Sequence, residues 1–276
     1  MSLLTRSSIR RVLALARKDV EELSHQPGAV FPAVAMVFGS LVPAFLVVAG
    51  APLISGESLE QAGEFSDAAL AAVGMVPELR TLTGNALIQA FLFHQFSLLL
   101  LLVPVVAAMA IATHSVIGEK QAKALEPLLS TPLTTMELLA AKTLTPFVFS
   151  TLLMWIALVL YLGGIATVAE PGVLGAIVGV RLLMMFALLG PLVGLAALQL
   201  AVIVSSRASD PRSAQQLASL MILPITAIFV AQMMGTYVVT LTALIVWAGL
   251  CAVLNLILLW LGVRVFQRET ILMRWR

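Results

Sequence analysis

Long apolar runs alternate with short polar segments along the chain. Asp, Glu, Lys and Arg are absent from residues 23–56, 81–118, 143–169, 182–206 and 213–263. A helix needs about 20 apolar residues to cross a bilayer, so each of the first four runs holds one span. The fifth run would be about 76 Å long as a single helix. That exceeds the roughly 30 Å hydrocarbon core, so this run must fold back, and we predict the reversal at Gly235-Thr236-Tyr237.

The predicted fold is therefore an all-α membrane protein, with one transmembrane domain over residues 1–276. Its six spans are predicted at residues 29–50, 86–112, 146–168, 182–205, 217–235 and 241–263. Before the first span, apolar residues recur at helical spacing on one face of Arg6–Glu22, which predicts an amphipathic surface helix within residues 1–28. Similar spacing from Leu59 to Val73 predicts a short surface helix within residues 51–85.

The positive charges define the predicted orientation. Of the 16 lysines and arginines, all but Arg80 and Arg181 fall on one side of the six-span arrangement. Positive residues mark the cytoplasmic side, so both termini should lie in the cytoplasm and residues 51–85 outside the cell membrane. The pI near 9.0 follows from these anchors and does not indicate nucleic-acid binding. A cleaved signal peptide ending at Ala49-Gly50-Ala51 is the alternative for the start, but the apolar run is long for a signal core.

A charged segment at residues 115–145 separates the second and third spans. Its lysines and glutamates are costly inside a membrane, which makes it the best candidate for contact with a soluble partner. Ala122–Leu129 can form a short helix that stops at Ser130-Thr131-Pro132, and a capping-box pattern at Thr134–Glu137 starts a second helix. The first helix has an apolar edge beside two carboxylates, formed by Leu125, Leu128 and Leu129 with Glu119 and Glu126. Either a partner's groove or the lipid headgroups could receive that edge.

Catalytic and cofactor signatures are missing. The chain has no G-x-x-x-x-G-K-[ST] phosphate loop, no H-E-x-x-H, no C-x-x-C and no G-x-S-x-G. The single Cys251 cannot form a disulfide within the chain, and His94 and His114 are about 30 Å apart along one helix. These absences leave transport, or membrane anchoring of another protein, as the function classes.

A few polar or soft side chains within the spans are candidates for a translocation path, namely Gln89, His94, Gln232, Met233 and Asn255. Interhelical hydrogen bonds and core packing are the alternative roles. The stretch Val173–Ser205 is about 50 Å long as a helix, so either it tilts strongly or its first two turns lie at the outer surface and leave Arg181 near the headgroups. The glycine pairs Gly175/Gly179 and Gly190/Gly194 would let helices approach closely.

The charged segment resembles that of permeases of the ABC type 2 exporter family. The resemblance rests on Gly118-Glu119, on Leu125-Glu126-x-Leu128-Leu129-Ser130-Thr131-Pro132, and on Glu137-Leu138-Leu139-x-x-Lys142. The start Ala14-Leu15-Ala16-Arg17-Lys18-Asp19 is similar to the family's amphipathic beginning. With six spans, the similarity covers essentially the whole chain. The chain departs from many members at Ala122-Lys123-Ala124, where they have a Gly-Thr pair, and at Pro127.

The resemblance implies one half of an ATP-driven exporter. Two six-span chains, as a homodimer or heterodimer, would pair with two separate ATPase subunits that bind ATP and Mg²⁺, while this chain holds no cofactor. Arg17, Glu119, Glu126 and the leucine edge would then contact an ATPase. The apolar spans favour a lipophilic or amphipathic cargo. A secondary transporter and a non-transporting anchor for a cytoplasmic partner remain the alternatives.

Overall fold

The computed structural model describes residues 27–63, 65–121, 135–206, 210–234 and 238–265, which form helices joined by short turns. In chain order the α-helices are α1 Pro27–Phe45, α2 Ala51–Ser55, α3 Leu59–Ala62, α4 Ser66–Val73, α5 Gly84–Phe96, α6 Leu102–Gln121, α7 Thr135–Val168, α8 Val173–Ile177, α9 Val180–Met184, α10 Gly190–Ser205, α11 Pro211–Ala218, α12 Ile222–Met233 and α13 Leu241–Val265. The all-helical class predicted from the sequence is thus confirmed for these residues.

Five stretches are long and apolar enough to cross a membrane: Gly28–Ser55, Gly84–Ser115, Thr143–Val168, Val180–Ser205 and Leu241–Arg264. They make the chain a multi-pass membrane protein. The remaining apolar helix, Ser219–Met233, is shorter. At 1.5 Å per residue it reaches only about 22 Å, less than the hydrocarbon core, so the six-span count is not established by helix length.

Four irregular turns interrupt the long helices, and each comes two or three residues before a proline. The π-helical turns Leu46–Gly50 and Met185–Leu189 precede Pro52 and Pro191, and the 3₁₀ turns Ser97–Leu101 and Ser219–Met221 precede Pro104 and Pro224. Proline has no N–H to donate, and its ring clashes with the carbonyl four residues back. The turn before each proline therefore departs from α-helical hydrogen bonding, while the helix continues on both sides of it.

Helix α6, with α5 before it, forms the centre of the bundle. Helices α1, α7 and α10 pack around α6, and α13 packs on the outer side of α10. Within Gly84–Ser115, 94% of the 18-residue apolar segment is buried, against 22% of the corresponding segment of Leu241–Arg264. The peripheral helices leave large apolar side chains such as Phe38, Leu152 and Leu256 exposed, as expected for faces that meet lipid.

Glycines allow the closest helix contacts. A Cβ added at Gly164 on α7 would overlap the ring of Phe45 on α1, and one at Gly190 would overlap the sulfur of Met154. At Gly194 it would lie 3.1 Å from the Cβ of Pro104. Gly190 and Gly194 therefore contribute to packing within the bundle, whereas Gly175 has no neighbour near its Cβ position.

One end of the bundle, here called the acidic end, consists of residues 56–83, 169–179 and 238–240. The Asn85 amide donates to the Glu170 carboxylate, and its oxygen accepts a hydrogen bond from the Leu59 N–H at 3.2 Å. The Glu60 carboxylate lies against Gly84, which has a φ of 59° that a non-glycine residue would adopt only with strain. Helices α3 and α4 are thus held on the beginning of α5. They are two helices rather than the single one expected, because Gly63 ends α3 in a left-handed conformation.

Two other expectations are refined. The stretch Val173–Ser205 is neither one straight helix nor one tilted helix, because extended backbone at Val178 and Gly179 separates α8 from α9. Helices α12 and α13 do not pack mainly against each other as a hairpin would: α12 lies on α5 and the Ser97–Leu101 turn, and α13 lies on α10. The predicted reversal at 235–237, the surface helix at Arg6–Glu22 and the short helix at Ala122–Leu129 lie outside the described residues.

Candidate functional site

The charged segment joins the central helix of the bundle to its neighbour. Helix α6 continues past the membrane-spanning stretch to Gln121, so Glu119 lies in its last turn, and α7 begins at Thr135. The two helices pack against each other along the bundle. Leu125, Glu126, Leu128, Leu129 and Arg17 lie outside the described residues. A force on this segment would act directly on the ends of α6 and α7.

Helix α11 lies at the same end of the bundle, packed on α10 and α6. The sequence analysis assigned no helix between the predicted spans 182–205 and 217–235, whereas a helix begins there at Pro211 and continues to Ala218. The signal for it was present in Asp210-Pro211-x-Ser213, since aspartate is a preferred N-cap and proline a preferred first helical residue. A second surface element therefore lies beside the charged segment.

Asp210 caps this helix. One carboxylate oxygen accepts from the Ser213 N–H at 2.9 Å and the other from the Ser213 hydroxyl at 2.7 Å. These hydrogen bonds favour the ionised form, so they lower the pKa of the exposed Asp210 carboxyl below its ordinary value. The start of α11 thus depends on a charged cap.

Two of the predicted path residues connect α5 to the chain around α8. The Gln89 side-chain oxygen accepts a hydrogen bond from the Glu170 N–H at 2.8 Å, and Nε2 of His94 lies 3.2 Å from the Ala176 carbonyl. The Nε2–H tautomer donates in that contact. Both side chains are buried. Their observed contacts are interhelical hydrogen bonds, the alternative role that the sequence left open.

Asn255 makes the same kind of connection on the other side of the bundle. Its amide donates to the Leu192 carbonyl on α10 at 2.9 Å and to the Cys251 carbonyl on its own helix at 2.8 Å. The structure therefore does not bring Asn255 together with Gln89 and His94. It joins α13 to α10 instead.

Gln232 on α12 differs from the other three. Its side chain is only 1% exposed, and neither its amide oxygen nor its nitrogen has a hydrogen-bond partner among the described residues. Helix α12 packs against α5 where Phe229 meets Phe96, with ring centroids 5.5 Å apart. Gln95, next to Phe96 in the chain, has a buried Oε1 that also lacks a partner among the described residues. Met233, the next residue along α12, is half-buried against the core. Helices α12 and α5 thus each carry buried amide atoms without a partner among the described residues.

The described residues include no group of three or more His, Cys, Asp or Glu side chains placed to hold a metal ion. What they do provide is a bundle of apolar, membrane-length helices around a central rod. That arrangement defines a multi-pass membrane protein.

Comparison with known families gives the particular family. The model of the ABC-2 family transporter proteins matches residues 15–269, nearly the whole chain. The chain therefore belongs to the ABC-2 transporter family, as the resemblance of its charged segment predicted. A search of curated proteins found no match.

Proposed function

We propose that the chain is the membrane subunit of an ATP-driven exporter in the cytoplasmic membrane. In this proposal it has six spans, pairs with a second permease chain, and is driven by separate ATPase subunits that bind ATP and Mg²⁺. The observation that carries the proposal is the family match over residues 15–269. The bundle of membrane-length helices supports it, and so does the lack of any phosphate-loop motif in the sequence.

Coupling to the ATPase would act through the segment between α6 and α7. Helix α6 is surrounded by α1, α7 and α10, so a displacement of its end at Glu119 would be transmitted to every helix it touches. Densely packed interiors transmit strain rather than absorb it. Helix α11 packs on the same helix and would provide a second contact beside the segment. Arg17, in the predicted N-terminal surface helix, would provide a third.

The translocation path would open at the contact of α12 with α5. A buried amide without a partner costs roughly 1–3 kcal/mol, and among the described residues both amide atoms of Gln232 on α12 and the Oε1 of Gln95 on α5 have no partner. The closed packing is therefore costly there, and separation of α12 from α5 would hydrate both amides. Gln232 and Met233 would then line the path, and Gln89 and His94 on α5 would border it, while Asn255 would hold α13 to α10 away from the opening. The apolar surroundings fit a lipophilic or amphipathic cargo.

The decisive experiment measures ATPase copurification and transport for Leu128→Ala, Glu119→Ala and Glu126→Ala. Burying a leucine stabilises by roughly 1.5–3 kcal/mol, while an exposed charge pair contributes about 0–1 kcal/mol. Leu128→Ala should therefore weaken assembly about tenfold or more. Glu126→Ala should weaken assembly only slightly. Glu119→Ala should leave assembly intact but uncouple ATP hydrolysis from transport.

Matched controls come from the acidic end, where Leu70 is 62% exposed and Glu57 is also exposed. Leu70→Ala and Glu57→Ala make the same chemical changes away from the charged segment, and both should assemble and transport like the parent. If the segment variants behave like these controls, the segment is an ordinary surface element. Transport without any ATPase would instead favour a secondary transporter, and a bound partner without transport would favour an anchor.

A further inference from the structure

A cavity of about 290 Å³ lies at the acidic end between α9, α13 and the turn after α4. Its walls are mostly apolar, from Met75, Val76, Pro77, Val180, Val239 and Leu241, and its polar residues are Glu78, Arg181, Thr240 and Thr242. Val180 and Leu241 are the first residues of two candidate membrane spans. The cavity is therefore at the boundary between the hydrocarbon core and water, at the depth of lipid headgroups.

Arg181 is the unusual member of this lining. It is only 9% exposed, and its buried Nη1 has no hydrogen-bond partner among the described residues. Glu78 is the opposite charge that acts on it, but the two groups make no ion pair within 4.0 Å in the described part of the chain. A buried guanidinium normally has an anionic or carbonyl partner. Here that partner is missing while the cavity beside it is open.

The beginning of α13 adds donors to the same cavity. Thr240 caps this 25-residue helix, since its hydroxyl accepts from the Ala243 N–H at 3.3 Å. The N–H groups of Leu241 and Thr242 are first-turn donors that have no partner within the helix. A helix N-terminus also favours negative charge through its dipole. The guanidinium and the helix start thus offer their donors to one space.

We propose that this cavity binds the acidic headgroup of a membrane lipid or lipid-like amphiphile. The phosphate would accept hydrogen bonds from Arg181 and from the start of α13, while the apolar walls would contact the adjoining carbon chain. Glu78 weakens the site for an anion, which keeps occupancy reversible. The proposal goes beyond transport coupling, because binding here needs neither ATP nor an ATPase.

The test uses the full chain in phosphatidylcholine nanodiscs with a short-chain phosphatidylglycerol as the probe. Binding raises the thermal midpoint with ligand concentration, which gives a Kd. Arg181→Gln should weaken binding about tenfold or more, because hydrogen bonds to a charged group are strong. Arg80→Gln is the matched control: Arg80 is exposed at the same end, its Nε donates to the Val73 carbonyl at 3.5 Å, and it is not among the residues that line the cavity.

Two further variants keep the test independent of any folding defect in Arg181→Gln. Thr242→Asp places a carboxylate in the cavity, in the first turn of α13, where an acidic residue stabilises a helix. It should therefore weaken lipid binding without loss of stability. Glu78→Gln removes the repelling carboxylate and should tighten binding severalfold.

Equal affinity in the parent, Arg181→Gln and Thr242→Asp would overturn the proposal, as would an equal loss in Arg80→Gln. A decrease in affinity on Glu78→Gln would overturn the assignment to an acidic headgroup, since it would show that the carboxylate binds a cationic group of the ligand. Inorganic phosphate serves as a separate probe. If it binds as tightly as the lipid and with the same dependence on Arg181, the ligand is a free anion and the lipid assignment is wrong.

Discussion

At the residue scale, one of the closest helix contacts among the described residues depends on a missing side chain. Gly164 on α7 lies directly against the ring of Phe45 on α1, and that ring in turn contacts Phe93 and Tyr161 at centroid distances of 5.6 and 5.8 Å. The Tyr161 hydroxyl donates to the Phe93 carbonyl at 2.6 Å. Three helices therefore meet around one ring that only a glycine accommodates.

We predict that Gly164→Ala destabilises the protein by about 1–3 kcal/mol, the usual cost of overpacking a well-filled core. The reason is that the new methyl group displaces the Phe45 ring from Phe93 and Tyr161. The adjacent Gly163 has no atom near its Cβ position, so Gly163→Ala should be neutral or stabilise the helix by up to about 1 kcal/mol. Thermal midpoints in detergent measure both. A Gly164→Ala protein as stable as Gly163→Ala would contradict the packing described for α1 and α7.

The buried glutamines provide a second pair of matched changes. Gln232→Leu removes two unpaired polar atoms, so it should stabilise the closed protein by about 1 kcal/mol and should slow transport. Gln89→Leu makes the same change where the amide oxygen accepts from the Glu170 N–H, so it should destabilise by about 1–3 kcal/mol. Unfolding in detergent and transport in vesicles provide the two readouts. Destabilisation by Gln232→Leu would show that its amide has partners.

The opposite effects expected for these two glutamines show the limit of sequence reasoning about a polar residue in a span. Gln89, Gln232 and Asn255 all appear as isolated amides in apolar runs. Whether such an amide meets a carbonyl, an N–H or nothing depends on the neighbouring helix, which lies far away along the chain. Asn255, for example, donates to Leu192. The set of candidates could be predicted, but their partners could not.

At the element scale, helix α11 depends on the Asp210 cap. Folding lowers the pKa of this carboxyl, so its contribution to stability is present above the ordinary carboxyl pKa and is lost as the pH falls through the lowered value. We predict that Asp210→Ala exposes the amides of α11 to severalfold faster hydrogen exchange at neutral pH. Asp210→Asn retains a capping oxygen, so the amides of α11 should stay protected from hydrogen exchange. Because asparagine does not titrate, this protection should no longer decrease at acidic pH. Unchanged exchange in Asp210→Ala would show that packing on α10 and α6 alone holds the helix.

Charge-free runs predicted where the long helices lie because a membrane imposes length and apolarity on any helix that crosses it. They gave no information on how each rod is divided. The turns before Pro104 and Pro191, and the extended residues Val178 and Gly179, depend on which carbonyl loses its donor and on what packs alongside. Helix α11 was missed for a different reason: it is short and polar, so only its cap marks it.

At the scale of the whole molecule, the two ends of the bundle have different chemistry. The acidic end holds α3 on the start of α5 through Asn85 and Glu60, and it contains the cavity beside Arg181. The opposite end contains the charged segment and α11. The proposed exporter would use such asymmetry, because energy would be supplied on one side of the membrane and cargo would leave on the other. The proposed coupling contacts and the proposed lipid site lie at opposite ends of the same central rod.

The last prediction concerns the crossing count, and it uses Glu57→Cys, Gln216→Cys and Thr270→Cys in a Cys251→Ala background. Three long helical stretches lie between residues 57 and 216, namely α5 with α6, α7 alone, and α9 with α10. The two residues are therefore separated by an odd number of crossings. A membrane-impermeant maleimide should therefore label Glu57→Cys in intact cells and Gln216→Cys only after permeabilisation. The labelling of Thr270→Cys decides whether Ser219–Met233 crosses the membrane. If it crosses, residue 270 lies on the same side as Gln216. The six-span arrangement therefore predicts that Thr270→Cys is protected from the maleimide in intact cells. Labelling of Thr270→Cys from outside, with Gln216→Cys protected, would reduce the count to five.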